Sequence, residues 1–172
     1  LLEALLEHEL AERETRRIDR HRAEACLSPD KRLSSFDFAA VPSVSKAQVM
    51  ALAEGHEWLD RGANVLLFGP PGVGKSHLVC ALGHALVDAG RRVLFARCSE
   101  IVQRLQAARQ ELRLPQELAK LDRFDLLILG ERPAVVVVAV ERERAVRAHL
   151  LGDAAARIVG VRLGAAAGGL VG

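Results

Sequence analysis

The stretch Asn64-Val-Leu-Leu-Phe-Gly-Pro-Pro-Gly-Val-Gly-Lys-Ser76 joins an apolar run, a glycine-rich turn and the opening of a helix without a break. Val65 to Phe68 is β-branched, aliphatic and aromatic, which is typical of a buried strand. After Ser76, apolar side chains recur at the spacing of an amphipathic helix. These are Leu78, Val79, Leu82, Leu86 and Val87. The order of strand, glycine turn and helix indicates an α/β architecture.

The glycine turn has the composition of a phosphate-binding loop. Gly69, Gly72 and Gly74 let the backbone turn sharply and point its N–H groups inward as an anion nest. The following helix adds the positive end of its dipole, Lys75 reaches phosphate oxygens, and the Ser76 hydroxyl is a ligand for Mg²⁺. The alternative is a glycine turn without a ligand. We predict a nucleotide site formed by consecutive residues: Gly69, Pro70, Pro71, Gly72, Val73, Gly74, Lys75, Ser76 and His77.

Bulk composition bounds the class of protein. The chain has 172 residues, of which 50% are hydrophobic, enough for one domain with a real core. Its net charge of +2 gives no general signal for a polyanionic partner. The 3 cysteines form no Cys-x-x-Cys pair, and no signal peptide or long apolar run occurs. We expect a cytoplasmic protein with reduced thiols and no membrane partner, whose natural beginning lies upstream of Leu1.

The first 60 residues are predicted to be a helical segment and a linker. Leucines and interleaved charges over residues 1–25 indicate an amphipathic helix. Its arginines are candidates for DNA phosphate contacts, although mixed charge is also typical of a solvated helix face. Residues 33–38 then lead to a second helix over about Ser45 to Leu59, capped by Ser45 or Ser43.

Residues 61–130 are predicted to be the nucleotide-binding core. Gly90 ends the helix after the glycine loop, and Val93 to Ala96 forms the next strand. A helix over about Ser99 to Gln110, a shorter helix ending near Leu121 and a strand over Asp125 to Leu129 follow. This alternation predicts a parallel sheet with its ligand at the carboxyl ends of the strands.

Together these stretches resemble the IstB-like ATP-binding proteins, transposition helpers related to the DnaC helicase loaders within the AAA+ ATPases. The resemblance spans about Leu5 to Leu129. It rests on the arginine-rich opening, Leu33-Ser-Ser-Phe-Asp-Phe38, the Asn64 to Leu78 stretch, Ala81-Leu-Gly83 and Phe124-Asp-Leu-Leu-Ile-Leu129. It implies a P-loop NTPase fold of the AAA+ type, here incomplete, with a parallel sheet, flanking helices and an N-terminal helical segment.

The resemblance also implies function. In such proteins ATP, with Mg²⁺, binds between the subunits of a homo-oligomer on DNA, and the nucleotide state controls recruitment of a transposase or a replicative helicase. One departure affects hydrolysis. The family's Walker B strand is followed by two acids, whereas Leu129 is followed by Gly130 and Glu131. Glu131 is a candidate for orienting the attacking water, or an ordinary exposed glutamate, because the metal position beside it has no oxygen ligand.

The composition changes abruptly from residue 131 onward. Residues 131–172 contain no Lys, Ser, Thr, Asn, Gln, Phe, Trp or Tyr. We expect a low-complexity tail outside the family pattern, produced by a shifted reading frame in a GC-rich gene, with a divergent tail as the alternative. The leading hypothesis is therefore an ATP-binding remnant with impaired hydrolysis. The alternatives are a non-catalytic fragment that binds DNA or a full-length partner, and a P-loop phosphotransferase.

The tail must also complete the sheet. The family places a strand between the phosphate-loop strand and the Walker B strand, and unpaired edges there would be unstable. Ala134 to Val140 starts too soon after Leu129 for a parallel crossover and could enter only as an antiparallel hairpin arm. We therefore expect Ile158 to Leu163 to pair in parallel in this slot, or else an aggregation-prone chain.

Overall fold

A computed structural model of the chain describes residues 2–55, 57–130, 135–139 and 158–162. Its helices are α1 (Leu2–Glu24), α2 (Lys46–Glu54), α3 (Glu57–Asp60), α4 (Lys75–Asp88), α5 (Cys98–Gln110) and α6 (Leu114–Leu121). Its strands are β1 (Asn64–Phe68), β2 (Val93–Arg97), β3 (Leu126–Gly130), β4 (Val135–Ala139) and β5 (Ile158–Arg162). A short 3₁₀ turn, Leu33–Ser35, lies between α1 and α2.

The predicted alternation of helices and strands is confirmed, with one helix divided. Ser45 caps α2, where its Oγ accepts the N–H of Gln48 at 3.3 Å. The helix expected to continue to Leu59 ends at Gly55, where the structure changes to α3. A Cβ at Gly55 would lie 2.8 Å from the carbonyl oxygen of Ala51, so this close approach requires glycine.

The strand order of the sheet is β2-β3-β4-β1-β5. β2 pairs in parallel with β3, and β1 pairs in parallel with β5. β4 lies between β3 and β1 and is antiparallel to both. The carboxyl ends of β1, β2, β3 and β5 therefore share one edge of the sheet.

The prediction of which strand lies between β1 and β3 is wrong. Ile158–Arg162 pairs in parallel with β1 as expected, but on its outer side, and Val135–Ala139 occupies the slot as an antiparallel strand. The reason is chain length: only residues 131–134 separate β3 from β4, a link suited to a hairpin arm and too short for a parallel crossover. Both inner edges are thereby paired, as the cost of unpaired backbone groups requires.

Helices cover both faces of the sheet. On one face α2 and α4 pack against β1 and against Leu126 and Ile128 of β3, with Phe95 at the margin of this core. On the other face Leu127 packs with Leu121, against the half-buried Leu94, Ile101, Leu105 and Phe124 of β2, α5 and the segment around α6. The phosphate-loop helix α4 therefore lies on the same face as Phe95 and Ile128.

Arg92 joins three elements at the sheet edge opposite the glycine loop. Its guanidinium binds Glu24 of α1, Nη2 to Oε2, at 2.8 Å and lies 5.3 Å from the ring centroid of Phe124. Its backbone N–H donates to Asp125 Oδ2 at 2.8 Å, and its carbonyl accepts the N–H of Asp125 at 2.7 Å. Arg92 therefore fastens the end of α1 to the starts of β2 and β3.

We expect this ion pair to make stability depend on acid pH. The hydrogen bond from Arg92 holds the pKa of Glu24 below its ordinary value of 4.5. The pair therefore stabilises the fold above pH 4.5, and that contribution is lost as the pH falls through the lowered folded pKa. Because Glu24 is 37% exposed, the contribution is about 1 kcal/mol or less.

Urea unfolding of Glu24→Gln checks this expectation. The variant should be less stable than the parent chain at pH 7, and the difference should vanish near the acid end of the folded range. Glu3→Gln, in the exposed first turn of α1, is the control. A deficit that stays the same at both pH values would contradict the assignment.

Candidate phosphate-binding site

The glycine loop between β1 and α4 has backbone angles that would be strained for residues other than glycine. Gly69, Gly72 and Gly74 have φ values of 156°, 88° and 81°. Gly74 is the N-cap of α4 in the left-handed conformation. These positive φ values are the ones glycine adopts without steric cost, so the predicted turn has the predicted residues at its corners.

The first turn of α4 presents backbone donors at the end of the loop. The first intrahelical hydrogen bond runs from the N–H of Leu78 to the carbonyl of Gly74, at 2.9 Å. The N–H groups of Lys75, Ser76 and His77 precede it, and together with the helix dipole they favour an anion. Ser76 is exposed at this end of the helix.

The ammonium of Lys75 is folded back over the loop. Its Nζ donates to the carbonyl oxygens of Gly69 at 2.6 Å and Pro70 at 2.7 Å. The side chain is half-buried and lies on the loop rather than in the core. The structure therefore places the predicted cation and the predicted glycines in one turn of the backbone.

His77 was predicted with the phosphate-binding residues, and its imidazole points elsewhere. Its Nε2 lies 3.1 Å from the carbonyl oxygen of Arg32 and 3.1 Å from Ser35 Oγ. Because a carbonyl oxygen can only accept, Nε2 carries the proton. The side chain of His77 therefore contacts the segment that precedes β1 in the sequence. The part of His77 that faces the phosphate loop is its backbone N–H.

Residues outside the sequence motif also contact the loop. A Cβ on Gly74 would lie 2.9 Å from Phe36 Cε2, so the Phe36 ring touches the loop backbone directly. The same ring packs edge-on against His77, with centroids 5.4 Å apart, and against Phe38, at 4.8 Å. The sequence draws attention to residues 33–38 only through the family resemblance. No local pattern joins Phe36 to Gly74, because the two residues are so far apart along the chain.

We call residues 28–36 the connecting segment, which lies along α4. His84, 4% exposed, places Nε2 2.8 Å from the carbonyl oxygen of Ser28, while His77 contacts Arg32 two turns away on the helix. Between them, burial raises the pKa of the Cys80 thiol, which indicates a structural thiol rather than a reactive one. Two histidines of α4 therefore hold the backbone of the connecting segment.

At the end of β3, Gly130 stands where the family resemblance implies an acid. Val135 pairs with Leu67 on one side and with Gly130 on the other, so Gly130 is level with the end of β1 and about 10 Å from it, two strand spacings. A Cβ there would lie 3.2 Å from Phe95 Cζ. The Phe95 ring thus covers the glycine. Glu131, the predicted water-orienting acid, lies outside the described residues.

The residues present fit the phosphates of a nucleotide better than they fit its metal. One loop combines three features: glycines with positive φ values, the N–H groups at the start of α4, and the Lys75 ammonium. The Ser76 hydroxyl supplies one oxygen for Mg²⁺, whereas Gly130 supplies none where an acid would stand.

The chain matches a known protein family. The family model of the IstB-like ATP-binding proteins matches residues 1–149. In the part of the chain that the structure describes, no helix has the length and apolar character needed to cross a bilayer.

Several curated proteins are similar to this chain. An insertion-sequence ATP-binding protein of Sinorhizobium fredii is 64% identical over 130 residues, which are 76% of this chain and 44% of the relative. The protein described as the ATP-binding protein of insertion sequence IS21 in Pseudomonas aeruginosa is 41% identical over 126 residues, 73% of this chain and 47% of the relative. A Mycobacterium tuberculosis insertion-sequence protein is 35% identical over 130 residues, 76% and 51% of the two chains. The chain thus spans about half the length of these relatives.

Proposed function

Because this chain belongs to the IstB-like ATP-binding proteins, we propose that it binds ATP through the loop from Gly69 to Ser76. The observation that carries the proposal is the position of Lys75. Its ammonium lies against the Gly69 and Pro70 carbonyls at 2.6 and 2.7 Å, beside the N-terminus of α4. A polyphosphate is the ligand that such a concentration of positive charge and N–H donors favours.

The proposed contacts divide between the loop and the helix. The phosphate oxygens would accept hydrogen bonds from backbone N–H groups of the loop, namely those of Gly72, Val73 and Gly74, which follow Pro71. Lys75 would neutralise the phosphate charge. The N–H groups of Ser76 and His77 would complete the nest at the start of α4. Mg²⁺, when bound, would neutralise phosphate charge, and this chain would hold it through Ser76 Oγ.

We propose that hydrolysis of ATP is impaired. The acid that organises the metal in the family is absent at position 130, and the Phe95 ring covers the glycine there. Binding and hydrolysis have different requirements, because the loop and the start of α4 contact the phosphates, whereas hydrolysis also requires stabilisation of the charge that develops on them. The chain is therefore proposed as a nucleotide-binding protein with little turnover.

We propose a role in transposition in the cytoplasm, because the relatives are named as insertion-sequence proteins. In this role the nucleotide state would be sensed by a transposase or helicase partner, with several copies of the chain assembled on DNA. The relatives so named are about twice as long as the part of them that this chain matches.

Displacement of a fluorescent ATP analogue by ATP, with and without Mg²⁺, tests the proposal. We expect saturable binding to the full 172-residue chain and no phosphate transfer to water or to an added acceptor. Transfer to an acceptor would favour a phosphotransferase. Absence of binding at millimolar ATP would favour an interaction fragment and reject the proposed function.

Any DNA binding by this chain should be modest and sensitive to salt. Arg13, Arg16 and Arg17 of α1 are each within 2.8 Å of a glutamate on the same helix, so phosphates would compete with these acids. The other candidates are Arg104, which binds Glu117 at 2.6 Å, Arg109 and Arg113.

Fluorescence anisotropy with a labelled duplex at several salt concentrations checks this expectation. Each phosphate contact contributes about 0.9 to the slope of log affinity against log salt. Arg16→Ala should lower that slope by roughly 1, whereas Arg61→Ala, directly after α3, should not. An affinity that does not change with salt would contradict electrostatic binding.

A further inference from the structure

We infer that His77 and Ser35 form a latch that positions the phosphate loop, and that nucleotide binding and the order of the connecting segment are coupled through it. The inference rests on the proposed function, because the coupled ligand is the nucleotide. It assigns His77 as a positioning residue that acts through Phe36 rather than as a phosphate ligand.

The latch is a small network with each proton accounted for. His77 Nε2–H is shared between the carbonyl oxygen of Arg32 and Ser35 Oγ, both at 3.1 Å. Ser35 Oγ accepts the N–H of Arg32 at 3.1 Å and donates its own proton to the carbonyl of Asp30, at 2.9 Å, or of Arg32, at 3.0 Å. Ser35 therefore closes the turn of the connecting segment and contacts α4 through His77.

The latch is connected to the loop through one ring. Phe36 follows Ser35 directly, packs edge-on against the His77 imidazole and contacts the Gly74 backbone, where a Cβ would be only 2.9 Å away. Gly74 is the residue whose left-handed conformation starts α4. The position of Phe36 thus limits the conformations available to the part of the loop that would hold phosphate.

Coupling of this kind works in both directions. If the latched connecting segment favours the phosphate-binding shape of the loop, then a bound nucleotide favours the latched segment by the same free energy. The connecting segment continues from α1 and also contacts Asp88, near the end of α4, through Arg32 at 3.5 Å. Occupancy of the loop is therefore transmitted to the N-terminal part of the chain.

Nucleotide affinity of latch variants tests the inference in the full chain. His77→Leu removes the donor and keeps the bulk, His77→Gln keeps an N–H donor of similar reach, and Ser35→Ala removes the hydroxyl. We expect His77→Leu and Ser35→Ala to weaken ATP displacement of the fluorescent analogue by ~5–10-fold, the effect of one hydrogen bond. His77→Gln should stay within about twofold of the parent chain, and the double variant should be less than additive.

Amide hydrogen exchange supplies a readout independent of affinity. The N–H groups of Ser35 and Phe36 donate to the carbonyls of Arg32 and Leu33 at 3.2 and 3.4 Å. ATP should slow their exchange in the parent chain and in His77→Gln, and should leave it unchanged in His77→Leu. The controls are Ser34→Ala, in the same turn, and His8→Leu, on the exposed face of α1.

Each outcome assigns a cause. Unchanged affinity in both His77→Leu and Ser35→Ala, together with loss of binding in Lys75→Ala, would overturn the latch and leave the proposed function standing. Equal losses in His77→Leu and His77→Gln, matched by equal losses in unfolding stability, would overturn it in favour of simple packing. If His77→Leu does not fold, Ser35→Ala decides alone. A parent chain that does not bind ATP would overturn both proposals.

Discussion

Replacing Lys75 by alanine is expected to abolish measurable ATP binding while leaving the fold largely intact. The ammonium is the side-chain cation that lies on the loop, within 2.6–2.7 Å of two of its carbonyl oxygens. Losing its charged hydrogen bonds to phosphate should cost roughly 3 kcal/mol or more, which is about a hundredfold or more in affinity.

The measurement is analogue displacement by ATP, accompanied by urea unfolding. Unfolding should change by about 1 kcal/mol or less, because Lys75 is half-buried and packs on the loop rather than in the core. Lys120→Ala, which removes a lysine that binds Glu117 on α6, controls for the loss of one positive charge. Unchanged affinity in Lys75→Ala would reject the phosphate site.

ATP turnover is expected to remain at background in the parent chain. The family's metal-organising acid is replaced by Gly130, and the loss of such charge stabilisation by roughly 3–4 kcal/mol lowers a rate by a factor of hundreds. Phosphate release measured with and without Mg²⁺ checks this expectation. A robust Mg²⁺-dependent rate would contradict the proposed impairment.

Restoring the acid is expected to require space as well as charge. In Gly130→Asp the new Cβ would meet Phe95 Cζ at 3.2 Å, so the ring must shift by a few tenths of an ångström. Gly130→Asp alone should therefore recover little turnover, and Gly130→Asp with Phe95→Leu should recover more. Gly130→Asn with Phe95→Leu is the matched control without the charge. Equal rates in the Asp and Asn variants would show that the carboxylate is not what the site lacks.

Features set by short-range chemistry could be predicted from the sequence. The turns at Gly69, Gly72 and Gly74 follow from a backbone conformation that glycine adopts at little cost, and Gly90, with φ 82°, ends α4 for the same reason. The cap at Ser45 is a contact between residues three positions apart. Each of these signals lies within one helical turn of the residue that it positions.

The contacts that shape the site could not be predicted in this way. Phe36 meets Gly74, and Phe95 covers Gly130, across more than thirty residues of chain in each case. No periodicity or spacing encodes such a pair, and a single sequence does not show which distant side chains meet. The motif places His77 on α4, but its imidazole contacts Arg32 and Ser35, which precede it by 45 and 42 residues.

The antiparallel strand in the middle of the sheet has a consequence for how the chain folds. β4 begins 5 residues after β3 ends, so this pair has a very low contact order and can close on the microsecond scale of a hairpin (about 1–10 μs). β1 and β5 are separated by residues 69–157, about half of the chain, and their pairing must wait for this large loop to close. We expect β3 and β4 to pair first, at the centre of the sheet, and β1 to join β4 next. β5 should add last, and its edge of the sheet should be the first to unfold.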